Sequence, residues 1–197
     1  FTVPDTAGYT CPAGIDYDVQ QARRRLSEAG YPEGRGLPPV ELLYNTSENH
    51  KLIAEAVQQM WKKDLNVDVS LVNQDWKVYL ASQKSLDYQI ARASWIGDYL
   101  DPNNFLECFV TNGGNNNSGW SSKAYDDLLA EAARTADQKR RFEVMQRAEG
   151  ILLEEAPLIP IYYYTRVYLK SPAVKNWRGN LLGYISFKDL YLEESSP

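Results

Sequence analysis

Two spacings of apolar residues divide the first half of the chain. Phe1–Ile15 has neither, and Pro4, Gly8, Pro12 and Gly14 mark it as an irregular lead-in. Val19, Ala22, Leu26 and Ala29 then recur at helical spacing, with Asp16 or Asp18 as the cap and Gly30 as the stop. Tyr31–Pro39 is a Gly/Pro loop. Val40–Asn45 (VELLYN) reads as a strand. Thr46 or Ser47 caps a helix to about Leu65, with Leu52, Ile53, Ala56, Val57, Met60 and Trp61 as its apolar stripe. Val67, Val69, Leu71 and Asn73 return to a period of two. Asp75 caps a short helix carrying Trp76, Tyr79 and Leu80. In Asp87–Ser94, Tyr88, Ile90, Arg92 and Ser94 alternate with Gln89, Ala91 and Ala93, and this too predicts a strand.

Strand, helix, strand with short joins is a βαβ unit, which requires parallel neighbours and a right-handed crossover. The fold class is therefore α/β, and the expected ligand crevice lies at the carboxyl ends of the strands. Those ends are Asn45–His50, Gln74–Trp76 and Trp95–Asp98, three polar or aromatic clusters. The second half is more helical. Phe105–Val110 predicts a short helix, Thr111–Gly119 a polar loop, and Ser121–Ala133 and Asp137–Glu155 two longer helices, the last with Phe142, Met145, Ala148, Ile151 and Leu152 on one face. Pro157 and Pro160 close it. Leu158–Leu169 (LIPIYYYTRVYL) reads as an aromatic strand, Ser171–Trp177 and Gly179–Gly183 as breaks, and Tyr184–Leu192 as a last strand before an acidic tail.

Composition narrows the function classes. The 197 residues make one large or two small domains, and the net charge of -5 gives no basic surplus to attract nucleic acid. Arg23–Arg25 read as a solvated helix face. Fourteen Tyr and five Trp against five Phe are more typical of a surface that stacks and hydrogen-bonds than of a plain core, although Tyr in strands accounts for most of them. Cys11 and Cys108 form one disulfide or remain two thiols, and with no partner at metal spacing they make no zinc site. No cofactor is implied. His50, the single histidine, would have to carry any Ser-His-Asp or Cys-His chemistry, so a hydrolase is the weaker alternative. No run is long enough to span a membrane and none reads as a signal peptide, and Phe1 in place of a starting Met suggests a processed or excised chain.

Three blocks carry a family resemblance: YNTSENHKLIAEAVQQMWKKDLNVDVSLVNQDW (Tyr44–Trp76), ARASWIGDYLDP (Ala91–Pro102) and APLIPIYYYTRVYLKSPAVKNW (Ala156–Trp177). In the same order and at matching spacing they resemble the C-terminal part of the family 5 extracellular solute-binding proteins of peptide ABC importers, over nearly the whole chain from about Tyr17. The resemblance implies one lobe of a two-lobed periplasmic-binding-protein fold, a mixed sheet with flanking helices. Residues 1–170 would form the ligand-binding lobe, and residues 171–197 would cross back to a first lobe that this chain lacks. It implies a periplasmic or cell-envelope location, short peptides as ligand, and a membrane permease as partner.

The same resemblance assigns residues. Asp98 matches the carboxylate that binds the peptide's α-ammonium. Arg92 and His50 match positions that receive the carboxyl end. Gln83 stands where the family has a second arginine for that task, a departure that bears on ligand length. Trp76 and Trp95 match aromatics lining side-chain pockets, and Tyr164 matches a tyrosine near the hinge that touches ligand. Ile96 stands where a relative has a cysteine, so that disulfide is absent. Cys11 and Cys108 would pair if the chain works where disulfides persist. Other relatives of this kind take nickel complexes or sugars, which stand as alternatives to peptides.

Overall fold

The computed structural model describes residues 1–179 and 183–193. The predicted breaks at Gly179–Gly183 and the acidic tail lie partly outside the described residues. The chain forms two compact units. The first to be completed along the chain, the sheet unit, comprises Ile15–Trp95 and Gly114–Ser121. The helical unit comprises Phe1–Gly14, Ile96–Gly113 and the described part of Ser122–Pro197. No helix among the described residues is long and apolar enough to cross a membrane.

In the sheet unit, α1 (Val19–Glu28) is capped by Asp18, whose carboxylate accepts from the Gln21 N–H at 2.9 Å. β1 (Val40–Asn45) leads into α2 (Glu48–Leu65), β2 (Val69–Gln74), α3 (Trp76–Ser85) and β3 (Ile90–Ala91). The three strands form one parallel sheet in the order β2–β1–β3, as the βαβ pattern requires. In-register parallel residues project to the same face, so Leu42 and Leu71 share one face while Leu43, Val72, Asn45 and Gln74 share the other. On the first face Leu42, Tyr44 and Val69 form a core with Ala54 of α2 and Val67, joined by Leu26, Val57 and Trp61. Burying each such aliphatic side chain contributes about 1.5–3 kcal/mol before chain entropy is counted. Gly34 lies so close to the end of α2 that a Cβ there would sit 2.5 Å from the Leu65 carbonyl oxygen, and its φ of +70° adds a second reason for glycine.

The predicted α2 stripe is wider than the face the sheet covers. Ile53, Ala54, Val57 and Trp61 turn inward, while Leu52, Ala56 and Met60 are exposed. The Asp87–Ser94 strand shrinks to two laddered residues, and side chains end it on both sides. Gln89 Oε1 accepts the Glu41 N–H at 2.6 Å, and the Tyr79 hydroxyl donates to the Arg92 carbonyl.

In the helical unit, α4 (Asn103–Leu106) continues as a single 3-10 turn over Glu107–Phe109, so the helix predicted over Phe105–Val110 begins two residues earlier. α5 (Lys123–Arg134) and α6 (Gln138–Glu155) pack against each other. Tyr125, Leu128, Leu129 and Ala132 of α5 meet Val144, Met145, Ala148 and Leu152 of α6 in the buried set. Glu149 is also fully buried there. Its carboxylate accepts from the Phe1 nitrogen (2.7 Å), the Thr2 N–H (2.7 Å) and the Tyr9 hydroxyl (2.8 Å), which fastens the irregular N-terminal segment to α6.

Three expectations for the C-terminal part are corrected. Leu158–Leu169 forms no strand among the described residues, and Ile161, Tyr162, Val167 and Leu169 stand exposed. Ser171–Trp177 is no simple break, since it holds β4 (Val174–Lys175). Tyr184–Leu192 is not one strand. It makes a 3-10 turn at Phe187–Asp189 and then β5 (Tyr191–Leu192), which pairs antiparallel with β4. Of the two alternatives for the cysteines, the structure takes free thiols. Burial pushes the Cys108 thiol up to about 12, so it is an inert packed group.

Candidate ligand-binding site

The segments leaving the three strands build the carboxyl edge of the parallel sheet. After β1, Thr46 and Ser47 lead into the first turn of α2, which presents His50. After β2, Asp75 caps α3 by accepting from the N–H groups of Lys77 and Val78, which sets Trp76 at the first helical position. Trp76 is 58% exposed and stacks on Tyr79, with ring centroids 5.6 Å apart and planes 23° from parallel. Tyr79 is buried, and its hydroxyl holds the Arg92 carbonyl just past β3. One buried tyrosine thus links an exposed indole to the strand end that carries Arg92. Leu80 is exposed as well, so of Trp76, Tyr79 and Leu80 on α3 only Tyr79 turns inward.

Electrostatics tie His50 to the same edge. Burial lowers its pKa below 6.5, the Arg92 charge lowers it further, and the Asn45 backbone partly offsets both. The imidazole is therefore neutral at pH 7. His50 Nδ1 is buried without a hydrogen-bond partner. So are Asn45 Oδ1 at the end of β1 and Gln74 Oε1 at the end of β2. These are the three such side-chain atoms described in the sheet unit, and all three lie at its carboxyl edge. Buried polar atoms are ordinarily satisfied within a fold, so a set left open at one edge marks a place where something else completes them. Sequence reasoning reached this edge but did not single out Asn45 and Gln74. Their signal was the polar residue closing each of two adjacent apolar strands.

Gln83 lies elsewhere. It is buried in the second half of α3, two turns beyond Trp76, and is not at the strand ends. Trp95 is half-buried and is the last residue of the sheet unit before the chain passes into the helical unit at Ile96.

The helical unit carries the other expected residues. Ile96 is exposed. Asp98 sits in an exposed turn whose backbone is fixed: its N–H donates to the Oδ1 of the fully buried Asn104 at 3.2 Å. A Cβ at Gly97 would lie 3.3 Å from the Phe105 ring, so a larger residue would press that turn outward. Among the described residues, the Asp98 carboxylate makes no ion pair. Three residues on, Asp101 is in the opposite state, bound at both oxygens by Arg141 at 2.8 Å. Tyr164 is exposed on the irregular segment after α6, its ring tilted against Tyr162 with centroids 4.9 Å apart. A hollow of about 480 Å³ elsewhere in this unit, between the Ala7–Gly8 turn and α6, includes none of these residues. No cluster of metal-ligating side chains occurs among the described residues.

The sequence matches the family described as bacterial extracellular solute-binding proteins, family 5 (middle), over residues 1–117. The chain belongs to that family. This family-5 match begins at Phe1, earlier than the resemblance alone placed it. The chain is 41% identical over 192 residues to the dipeptide-binding protein DppE of Bacillus subtilis, covering 92% of this chain and 35% of the relative. Among solved structures, the Escherichia coli murein tripeptide-binding protein MppA superposes with a TM-score of 0.79 at 41% identity, covering 91% of this chain and 36% of that one. The oligopeptide-binding protein OppA of Haemophilus influenzae, solved in complex with RPPGFSPFR, superposes at 0.76 with 35% identity over 88% of this chain and 34% of its own. The family-5 chain described here thus spans about a third of the length of its curated relatives, and its α/β architecture is that of periplasmic binding proteins.

Proposed function

We propose that this chain is part of the solute-binding component of an ABC importer and that it captures short peptides without chemical conversion. The observation that carries the reading is the open polar edge of the sheet unit, where His50 Nδ1, Asn45 Oδ1 and Gln74 Oε1 lack partners beside Arg92. Relatives named for dipeptides, murein tripeptides and oligopeptides supply the ligand class.

A receptor for many peptide sequences must read what peptides share, namely the backbone and the two charged ends. In this reading Asp98, whose turn is fixed while its carboxylate stays open, anchors the α-ammonium. Arg92 and neutral His50 receive the carboxylate end. Trp76 and Trp95 wall side-chain pockets, Ile96 and Tyr164 line the ligand's path, and Gln83 acts indirectly by shaping α3. Residues 1–170 supply one face of the cleft, and residues 171–197 return to a first lobe outside this chain. That missing lobe, a membrane permease and a periplasmic or envelope setting complete the assembly.

The test uses the full-length protein and a peptide with a free or an acetylated N-terminus. Acetylation should weaken binding by roughly 2–5 kcal/mol, the cost of leaving a buried charge unpaired, which is about 30-fold or more. Equal affinity for the two forms would remove the amine-anchor role from Asp98. Peptide turnover abolished by His50→Ala would replace binding with hydrolysis.

A further inference from the structure

Within the open edge that supports peptide capture, Asn45 and Gln74 have no assigned contact with either charged end of the peptide. Asn45 and Gln74 are register partners in the parallel β1–β2 ladder, so their side chains leave the same face side by side. Asn45 is 7% exposed, and its Oδ1 is buried and unpartnered, as is Gln74 Oε1. Two adjacent buried acceptors without donors are costly, at about 1–3 kcal/mol each. The fold had cheaper options here: an apolar residue in either place would have removed the cost.

The surroundings restrict what fills the pair. A single N–H satisfies one oxygen, whereas an NH2 group spans two. An ammonium or guanidinium also brings several donors, but Arg92 lies close enough for its charge to be felt at His50, which disfavours a second cation. α2 begins three residues after Asn45, and its Ser47 makes no side-chain cap. A neutral group that brings an NH2 to the two oxygens is a primary carboxamide.

We propose that Asn45 and Gln74 form a carboxamide notch, a specificity subsite that selects a ligand bearing an Asn or Gln side chain or a C-terminal amide. The subsite rests on the peptide-binding reading above and sharpens its substrate class. His50 Nδ1 is the third open atom at the same edge of the sheet unit. A carboxylate of the same shape brings no donor to the two open oxygens and binds only if both amides turn, and a leucine leaves both oxygens unfilled.

The experiment is calorimetry on the full-length protein, freed of bound ligand, with tripeptides identical except for one residue. Gln, Glu, Leu and Lys are placed in turn at each position, and C-terminal amides are included. One position should favour Gln over Leu by roughly 10-fold, the worth of two modest hydrogen bonds, with Lys weakest there. Gln74→Leu, at a partly exposed site, should collapse that ratio towards one, and Asn45→Leu should do the same where it folds. Gln no better than Leu at every position overturns the notch while leaving peptide binding intact, and the two oxygens then hold ordered water only. A preference that survives Gln74→Leu also overturns it. Failure of a folded protein to bind any of the peptides overturns the peptide reading itself, and the notch with it.

Discussion

Asp98 and Asp101 sit three residues apart and are treated in opposite ways. Asp101 is half-buried and gripped at both oxygens by Arg141. Asp98 is exposed on a turn whose backbone is held by Asn104 while its carboxylate makes no ion pair among the described residues. The contrast recurs at larger scale. In the helical unit the buried Glu149 accepts three hydrogen bonds and ties the N-terminal segment to α6. In the sheet unit Asn45 Oδ1, His50 Nδ1 and Gln74 Oε1 remain open at the carboxyl edge. A saturated polar group serves the fold, and its loss is read in stability. An open one serves a ligand, and its loss is read in binding. The rule is not absolute, since Thr2 Oγ1 and Trp177 Nε1 are also buried and unpartnered in the helical unit, on separate segments and without a neighbouring set.

The largest effect should come from Glu149. Glu149→Ala strands the Tyr9 hydroxyl and the Thr2 N–H in a dry interior, and should cost about 3–5 kcal/mol in chemical denaturation. A change below about 1 kcal/mol would mean that the N-terminal segment contributes little to the unit. Next is Tyr79→Phe, which leaves the Arg92 carbonyl without its hydroxyl donor. It should cost about 1–2 kcal/mol and loosen the chain after β3, visible as faster amide exchange at Arg92 and its successors. Unchanged exchange there would show that the strand end is fixed by something else.

The smallest effect is a pH dependence. Burial alone would raise the Asp101 carboxyl, but the Arg141 bonds and the Asn103 N–H outweigh it and hold the pKa below 3.8. A carboxylate depressed in the folded state adds stability that is complete above its unfolded pKa and is lost as pH falls through the folded one. The stability gap between wild type and Asp101→Asn should therefore be about 1–2 kcal/mol near neutrality and close below about pH 4. A gap that widens with acid would contradict the sign.

The sheet unit was largely legible from sequence because its signals are local. VELLYN, the helix ending near Leu65, and the alternation through Asn73 each fix their own element, and short joins leave few topologies. The errors arose where the answer depends on a partner. Asp87–Ser94 alternates like a strand, yet Gln89 and Tyr79 side chains take the hydrogen bonds that would lengthen its ladder. Leu158–Leu169 has the composition of a strand, yet no strand ladder forms there among the described residues. The α2 stripe shows which residues are apolar but not how wide a face the sheet covers. Asn45 and Gln74 carry only a weak signal, a polar residue closing an apolar strand, which the unfilled oxygens turn into a specific one.

Asp98→Asn and Asp101→Asn in the full-length protein test the distinction most directly. The two substitutions are chemically identical and three residues apart, and each variant is measured for peptide affinity and for thermal unfolding. Asp98→Asn should lose roughly 30-fold or more in affinity at an unchanged melting temperature, while Asp101→Asn should melt earlier and keep its affinity. A melting loss at Asp98 with intact binding, or an affinity loss confined to Asp101, would contradict the division between groups that hold the fold and groups that await a ligand.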